Sequence, residues 1–319
     1  MPAARRKIVI VGAGHVGSHV GYALATQGLA EEIVFIDIDK KKAQAQALDI
    51  YDSTVYLRRR TLVRAGGYAD ARDADLLVIA AGPLPDLKRN QTRMDTPQET
   101  VAALKDVVAN IRESGFAGII LDISNPADVI THYVQNRLGY PPKKILSTST
   151  TLDSARLRRA LSEAFGIDQK SVYAYVLGEH GESQMVPWSA VTIAGKPVLE
   201  LIAEKPEKYG KLDLDAVAAD GRAGGWRVLA GKGSTEFGIG TAAAEVIRAI
   251  LCDEKRVLPV STLLDGEYGQ KDVYASVPAV LGRGGVEGIL ELHLTEPEQR
   301  RFSHSCDVMR KNYRTALSL

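Results

Sequence analysis

The segment Gly12-Ala13-Gly14-His15-Val16-Gly17 follows an apolar run at residues 8–11 and opens a helical pattern. Gly12 permits a tight strand-to-helix turn, and Gly14 lets backbone approach a pyrophosphate. Gly17 lets the helix lie close on a sheet, while Val16 and the free N–H groups of the first helical turn face the anion. The alternative is a corner that merely needs glycine. Asp37 ends the run Ile33-Val34-Phe35-Ile36-Asp37, twenty positions beyond Gly17. A carboxylate there can accept both ribose hydroxyls and would repel a 2′-phosphate. Together the two features predict dinucleotide binding with NAD favoured over NADP, although Lys40, Lys41 and Lys42 soften the rejection of NADP.

A second group lies in the other half. His180 stands between glycines in Leu177-Gly178-Glu179-His180-Gly181-Glu182-Ser183, and alone such a histidine is more often a turn residue than a catalyst. Thr151-Leu152-Asp153-Ser154-Ala155-Arg156 opens an amphipathic pattern, and three-residue spacing at a helix start puts Asp153 and Arg156 on one face. A helix cap and an ion-pair partner are their structural alternatives.

These residues need a frame. Apolar runs at 7–11, 33–37, 76–81, 118–123 and 144–148 alternate with helical patterns, as in a parallel sheet flanked by helices. Ahead of the fourth run, Thr96-Pro97-Gln98-Glu99 caps a helix that ends at Gly115. Beyond residue 150 the pattern becomes α+β: an amphipathic helix at 156–165, β-rich runs at 171–176 and 186–193, and a helical region at 215–253 interrupted by Gly231-Lys232-Gly233. Strand-like runs follow at 257–264, 273–281 and 288–294, and a closing helix starts near Thr295. The expected fold is α/β: a doubly wound parallel Rossmann sheet over residues 1–150, then a C-terminal α+β catalytic domain over 151–319.

The 319 residues suffice for two medium domains. With 40 Lys+Arg against 39 Asp+Glu, no global field draws the chain to nucleic acid or to a membrane surface. No apolar run approaches the roughly 20 residues of a spanning helix. The basic start, Arg5-Arg6-Lys7, precedes an apolar run too short for a signal peptide, so a cytoplasmic protein is expected. Cys252 and Cys306 stand apart with no metal-ligand spacing, so buried free thiols are expected and no metal is implied.

The combination of the glycine fingerprint, Ser124-Asn125-Pro126-Ala127-Asp128, Leu152-Asp153-Ser154-Ala155-Arg156 and Gly178-Glu179-His180-Gly181 resembles the lactate/malate dehydrogenase family over nearly the whole chain, particularly its 2-hydroxyisocaproate-type members. The resemblance implies hydride transfer between NADH and a 2-oxo acid. It makes His180 the proton donor and Asp153 the partner that fixes its tautomer and favours the imidazolium. Arg156 would grip the substrate carboxylate with a planar fork, and Asn125 would bond the reacting oxygen or the cofactor amide. Arg93 would enter on a loop to polarise the carbonyl, and Thr235 would line the substrate pocket.

Some positions depart from the family. The early loop, Gly82-Pro83-Leu84-Pro85-Asp86-Leu87, is apolar where relatives carry a glutamine or an arginine, so Leu84 and Leu87 suit a branched or bulky side chain. Lys88 and Arg89 keep malate open, lactate is the nearest rival, and a non-catalytic NAD-binding sensor is the reading from another class. Glu236 stands where relatives often carry a small polar residue. Arg158 matches an arginine of a sugar-bisphosphate activator site, but Trp188-Ser189-Ala190 lacks that site's histidine. A homodimer or homotetramer is expected by resemblance.

Overall fold

The computed structural model describes residues 6–82 and 97–319; Leu84, Arg93 and the Thr96 cap lie outside the described residues. The first half runs β1 (Lys7–Val11), α1 (His15–Gln27), β2 (Glu32–Ile36), α2 (Lys40–Ser53), β3 (Leu62–Ala65), β4 (Leu76–Ile79), α3 (Pro97–Ser114), β5 (Ile119–Asp122), α4 (Ala127–Leu138) and β6 (Ile145–Ser147). The second half runs α5 (Thr151–Phe165), β7 (Val172–Tyr173), β8 (Thr192–Ile193), β9 (Lys196–Pro197), α6 (Val198–Glu204), α7 (Pro206–Tyr209), α8 (Leu214–Lys232), α9 (Phe237–Leu251), β10 (Arg256–Asp265), β11 (Lys271–Gly282), β12 (Gly285–Ile289) and α10 (Glu296–Leu317).

The first six strands pair in parallel in the order β3-β2-β1-β4-β5-β6, the doubly wound arrangement. Sheets covered on both faces have continuously apolar strands, and β1, β2, β4 and β5 are buried throughout. Successive side chains point to opposite faces. Thus Ile8, Ile10, Ile33 and Phe35 meet Val20, Leu24, Ala43 and Ile247 from α1, α2 and α9, whereas Val9, Val11, Val34 and Leu77 meet Leu104, Ile111, Ile130 and Val134 from α3 and α4. Antiparallel β10, β11 and β12 extend the sheet from β6, with Ser261 opposite Ser147. A third core, built on Leu157, Leu161, Phe165, Val172 and Ile193, lies under the small β7-β8-β9 sheet.

Several local expectations need correction. Strand β3 has no apolar run to announce it: it is a short edge strand whose Arg64 reaches Glu32 at 2.8 Å and Asp70 at 2.5 Å. The β-rich runs at 171–176 and 186–193 shrink to β7 and β8. The Ser154 hydroxyl accepts the Val176 N–H, and Pro187 breaks the second run while Glu298 takes the Ser189 N–H. The last strand is β12, earlier than 288–294, because the Tyr268 hydroxyl accepts the Leu292 N–H that a ladder would need. Cys306 is buried, its thiol pushed up to about 12 by burial, but Cys252 is exposed because it caps the surface end of α9. Gly233 ends α8 with φ +81° and Thr295 opens α10 through a reciprocal bond pair with Glu298, both as expected. Among the described residues no helix is long and apolar enough to cross a membrane.

His132 on α4 stacks flat on Tyr313 with centroids 3.5 Å apart and tilts against Tyr274, and burial pushes its pKa down to about 4. The folded state therefore holds the neutral ring, while the unfolded chain binds a proton below about pH 6.5. Stability carried by this group is complete above that value and falls with pH, levelling off below about 4. Urea unfolding at pH 7.5 and 5.0 is expected to show about 2 kcal/mol less acid loss in His132→Phe than in the parent. Identical losses would remove His132 as the cause.

Candidate active site

The nucleotide end is built at the carboxyl ends of β1 and β2. Gly12 has φ +104° and donates its N–H to Ile36 O at 2.7 Å; a Cβ on it would sit 2.3 Å from Ala80 O. A Cβ on Gly17 would lie 1.9 Å from Gly12 O, so α1 rests on its own turn. Gly14 differs: its φ is −75°, and an added Cβ would meet nothing nearer than Lys42 Nζ at 4.0 Å. Among the described residues neither backbone conformation nor packing demands glycine there, and the clearance leaves room for a ligand to approach the backbone. No side chain caps α1, and no acid sits in its first turn. Those N–H groups are left for an anion.

Asp37 also holds this loop, accepting Ala13 N–H at 2.7 Å and Asp39 N–H at 2.9 Å, one on each oxygen. Each oxygen keeps a lone pair for a vicinal hydroxyl. The cleared Gly14, the uncapped helix and this carboxylate fit a dinucleotide. His15, the first residue of α1, pairs with Glu236 at 2.7 Å, and Glu236 also pairs with Lys232. The Lys232 ammonium holds the Glu236 carboxyl below its usual range. The His15–Glu236 contact ties the α8–α9 turn, which carries Thr235, to the glycine loop.

The second cluster is anchored by α5. Thr150 precedes the helix and donates to Val176 O at 2.6 Å, bolting α5 to the segment that leads to His180. Asp153, 4% exposed, accepts from Arg156 Nη1 at 3.0 Å on one oxygen and contacts His180 Nδ1 with the other. The chain reaches this point through Gly178, whose φ is +86° and where a Cβ would strike Ser305 Oγ at 2.4 Å. Gly178 N–H bonds Ser276 O on β11, and the His180 N–H donates to Asp128 Oδ2 at 2.8 Å.

Asn125 follows β5 in a turn held by Asp122, which accepts Ser124 N–H at 3.0 Å and the Thr131 hydroxyl at 2.9 Å. Burial pushes the Asp122 carboxyl up to about 7. The Asn125–Pro126 peptide is cis. One cavity is lined jointly by Val16, Asn125, Arg156, His180 and Thr235, with Ser149, Leu152, Leu229 and Ile239 among the other residues of its wall. Five residues singled out in separate segments thus converge. Sequence reasoning gave no role to Ser149, Asp128 or the His15–Glu236 pair. Asp128 was visible only as part of Ser-Asn-Pro-Ala-Asp, where it looks like an ordinary first-turn acid.

A proton-carrying imidazole, a carboxylate behind it and a guanidinium beside it can protonate one oxygen of a small acid while gripping its carboxylate. Residues 6–147 match the NAD binding domain of lactate/malate dehydrogenase, and residues 150–319 match its alpha/beta C-terminal domain. L-lactate dehydrogenase 3 of Bacillus thuringiensis subsp. konkukian is 43% identical over 310 residues, which is 97% of this chain and 98% of that protein. Among solved structures, the minor L-lactate dehydrogenase of Enterococcus mundtii in its ligands-bound form has a TM-score of 0.93 at 35% identity, covering 98% of both chains. The lactate dehydrogenase of Cryptosporidium parvum, complexed with lactic acid and nicotinamide adenine dinucleotide, has a TM-score of 0.92 at 28% identity, covering 99% of both.

The glycines separate packing from binding. Gly17→Ala is expected to lower the melting temperature by about 5 °C or more. Gly14→Ala should melt within about 2 °C of the parent yet bind NADH at least roughly tenfold more weakly in a fluorescence titration. Parental affinity in Gly14→Ala would show that its clearance serves no ligand.

Proposed function

Since the chain belongs to the lactate/malate dehydrogenase family and is an NAD-dependent L-2-hydroxyacid oxidoreductase, we propose that it reversibly reduces 2-oxo acids with a branched or bulky apolar side chain, of the 2-oxoisocaproate type. The observation that carries the reaction is the contact of one buried carboxylate, Asp153, with both His180 and Arg156. Two features support the substrate class. The cavity wall is apolar at Val16, Leu152, Leu229 and Ile239. Among the described residues lining the cavity Arg156 is the sole arginine or lysine, which disfavours a second substrate carboxylate. The names of the relatives favour a second reading, pyruvate and lactate.

When bound, the dinucleotide supplies a hydride to the carbonyl carbon. Arg156 takes the substrate carboxylate through donors not spent on Asp153 and so orients the ketone. His180 gives its ring proton to the carbonyl oxygen, which becomes the hydroxyl; in oxidation the same nitrogen takes that proton back. Asp153 on Nδ1 leaves Nε2 as the nitrogen that faces substrate, and its charge offsets the imidazolium. Asn125 donates to the reacting oxygen or to the cofactor amide, and Thr235 lines the side-chain pocket. Arg93 polarises the carbonyl and Leu84 contacts the substrate side chain; both assignments rest on the sequence. Asp37, Gly12, Gly14, Val16 and Gly17 hold the nucleotide.

Residues 1–150 serve the nucleotide and residues 151–319 the substrate. Exposed Tyr22 on α1 and exposed Val55 and Tyr56 after α2 support a homodimer or homotetramer. A cytoplasmic location accords with the bacterial relatives.

Steady-state assays at the NADH absorbance band with 2-oxoisocaproate, pyruvate and oxaloacetate test the substrate class, with the highest kcat/KM expected for 2-oxoisocaproate. A preference for pyruvate would establish the second reading, and one for oxaloacetate would overturn the apolar-wall argument. Arg156→Lys is expected to lower kcat/KM by roughly 100-fold, chiefly through KM. Unchanged kinetics would reject the two-bond grip.

A further inference from the structure

The geometry points to Asp128 as a positioning residue for the proton donor: its buried carboxylate fixes the backbone of His180 and adds its negative charge to that of Asp153. The inference rests on the reading of His180 as the group that moves the proton.

An acid in the first turn of a helix ordinarily interacts with that helix's own N–H groups or dipole from the surface. Asp128 sits in the first turn of α4 but is 3% exposed, and its bonds reach elsewhere. One oxygen accepts the His180 N–H at 2.8 Å, and the other accepts the Ser149 hydroxyl at 2.8 Å. Both partners line the candidate cavity. Ser149 holds a positive φ of 36°, unusual for a residue with a side chain, so backbone strain sits at the same junction.

Accepting an amide proton does not need a charge, since an asparagine oxygen would serve, and burying a carboxylate is costly. Local charges give the ion a purpose. Asp153 faces His180 with one oxygen and Arg156 with the other, so its charge is shared between the two. Asp128 places a second carboxylate on the backbone side of His180. Among the described residues, the other groups facing Asp128 are Asp122 from β5, Ser261 from β10 and Cys306 from α10. Burial raises the Asp128 carboxyl, and the His180 N–H, the Ser149 hydroxyl and the His180 charge oppose that rise.

Asp128→Asn keeps the shape and an acceptor for the His180 N–H but removes the charge. The readout is the pH profile of kcat/KM for 2-oxo acid reduction, which falls on the alkaline side as His180 loses its proton. In Asp128→Asn that midpoint is expected to move down by at least about half a pH unit, with kcat/KM at neutral pH reduced about tenfold and NADH affinity held within about twofold. An unmoved midpoint, with or without lower activity, would overturn the inference, because a purely structural residue scales the rate without displacing the titration. Ser149→Ala supplies a second test should the asparagine variant not fold. It removes a donor but keeps the carboxylate, so its midpoint should stay or rise, and a downward move overturns the proposal. His180→Asn tests the underlying reading separately: retained turnover would dismiss His180 as proton donor whatever the Asp128 variants do.

Discussion

A single buried carboxylate, Asp153, contacts both the His180 ring and the Arg156 guanidinium, and much of the second half of the chain is arranged to hold it. Removing one partner of a buried charge pair typically costs about 3–5 kcal/mol, because the other charge is stranded. The arrangement therefore fixes relative positions more than it adds net stability. Helix α5 supplies Asp153 and Arg156 one turn apart, and Thr150 ties the start of that helix to the strand-like segment before His180. A shift of either element by one residue would leave the carboxylate buried without the imidazole.

The parallel sheet solves the complementary problem. Its order reverses between β1 and β4, so helices leave that point on opposite faces and a crevice opens at the carboxyl ends of the strands. The Gly12 turn and the Asn125 turn stand at such ends, and both face the cavity that Arg156 and His180 enter from the second half. Strand β10, antiparallel on β6, locks the halves into one sheet, and the His15–Glu236 pair fastens the glycine loop to the Thr235 turn. The two halves are thereby held at fixed separation by backbone pairing and by the His15–Glu236 contact.

Legibility in the sequence followed the type of constraint. The buried parallel strands and the capped helices were readable because burial on two faces and unsatisfied helix ends each dictate residue type locally. Strand β3 was not, since an edge strand with Arg64 in its centre carries no apolar run. The stretches 171–176 and 186–193 have strand-like composition, yet their ladder donors were claimed by the Ser154 hydroxyl and by Glu298, residues distant in the chain. Gly12 and Gly17 have packing reasons that spacing suggests, whereas only the coordinates reveal that Gly14 has none.

The sequence by itself determined the doubly wound frame, the dinucleotide fingerprint with its Asp37, and the list of groups able to move a proton and hold an acid, because periodicity, turn chemistry and side-chain type are local properties. The tertiary structure decided which of those groups share one cavity, that Asp153 divides itself between Arg156 and His180, and that Asp128 and Ser149 belong to the same network. The network contacts join residues 21 to 52 apart in the chain, and the cavity gathers Val16 with Thr235, 219 residues further on. No local pattern encodes such distances; the packing of the whole sheet and its helices sets them.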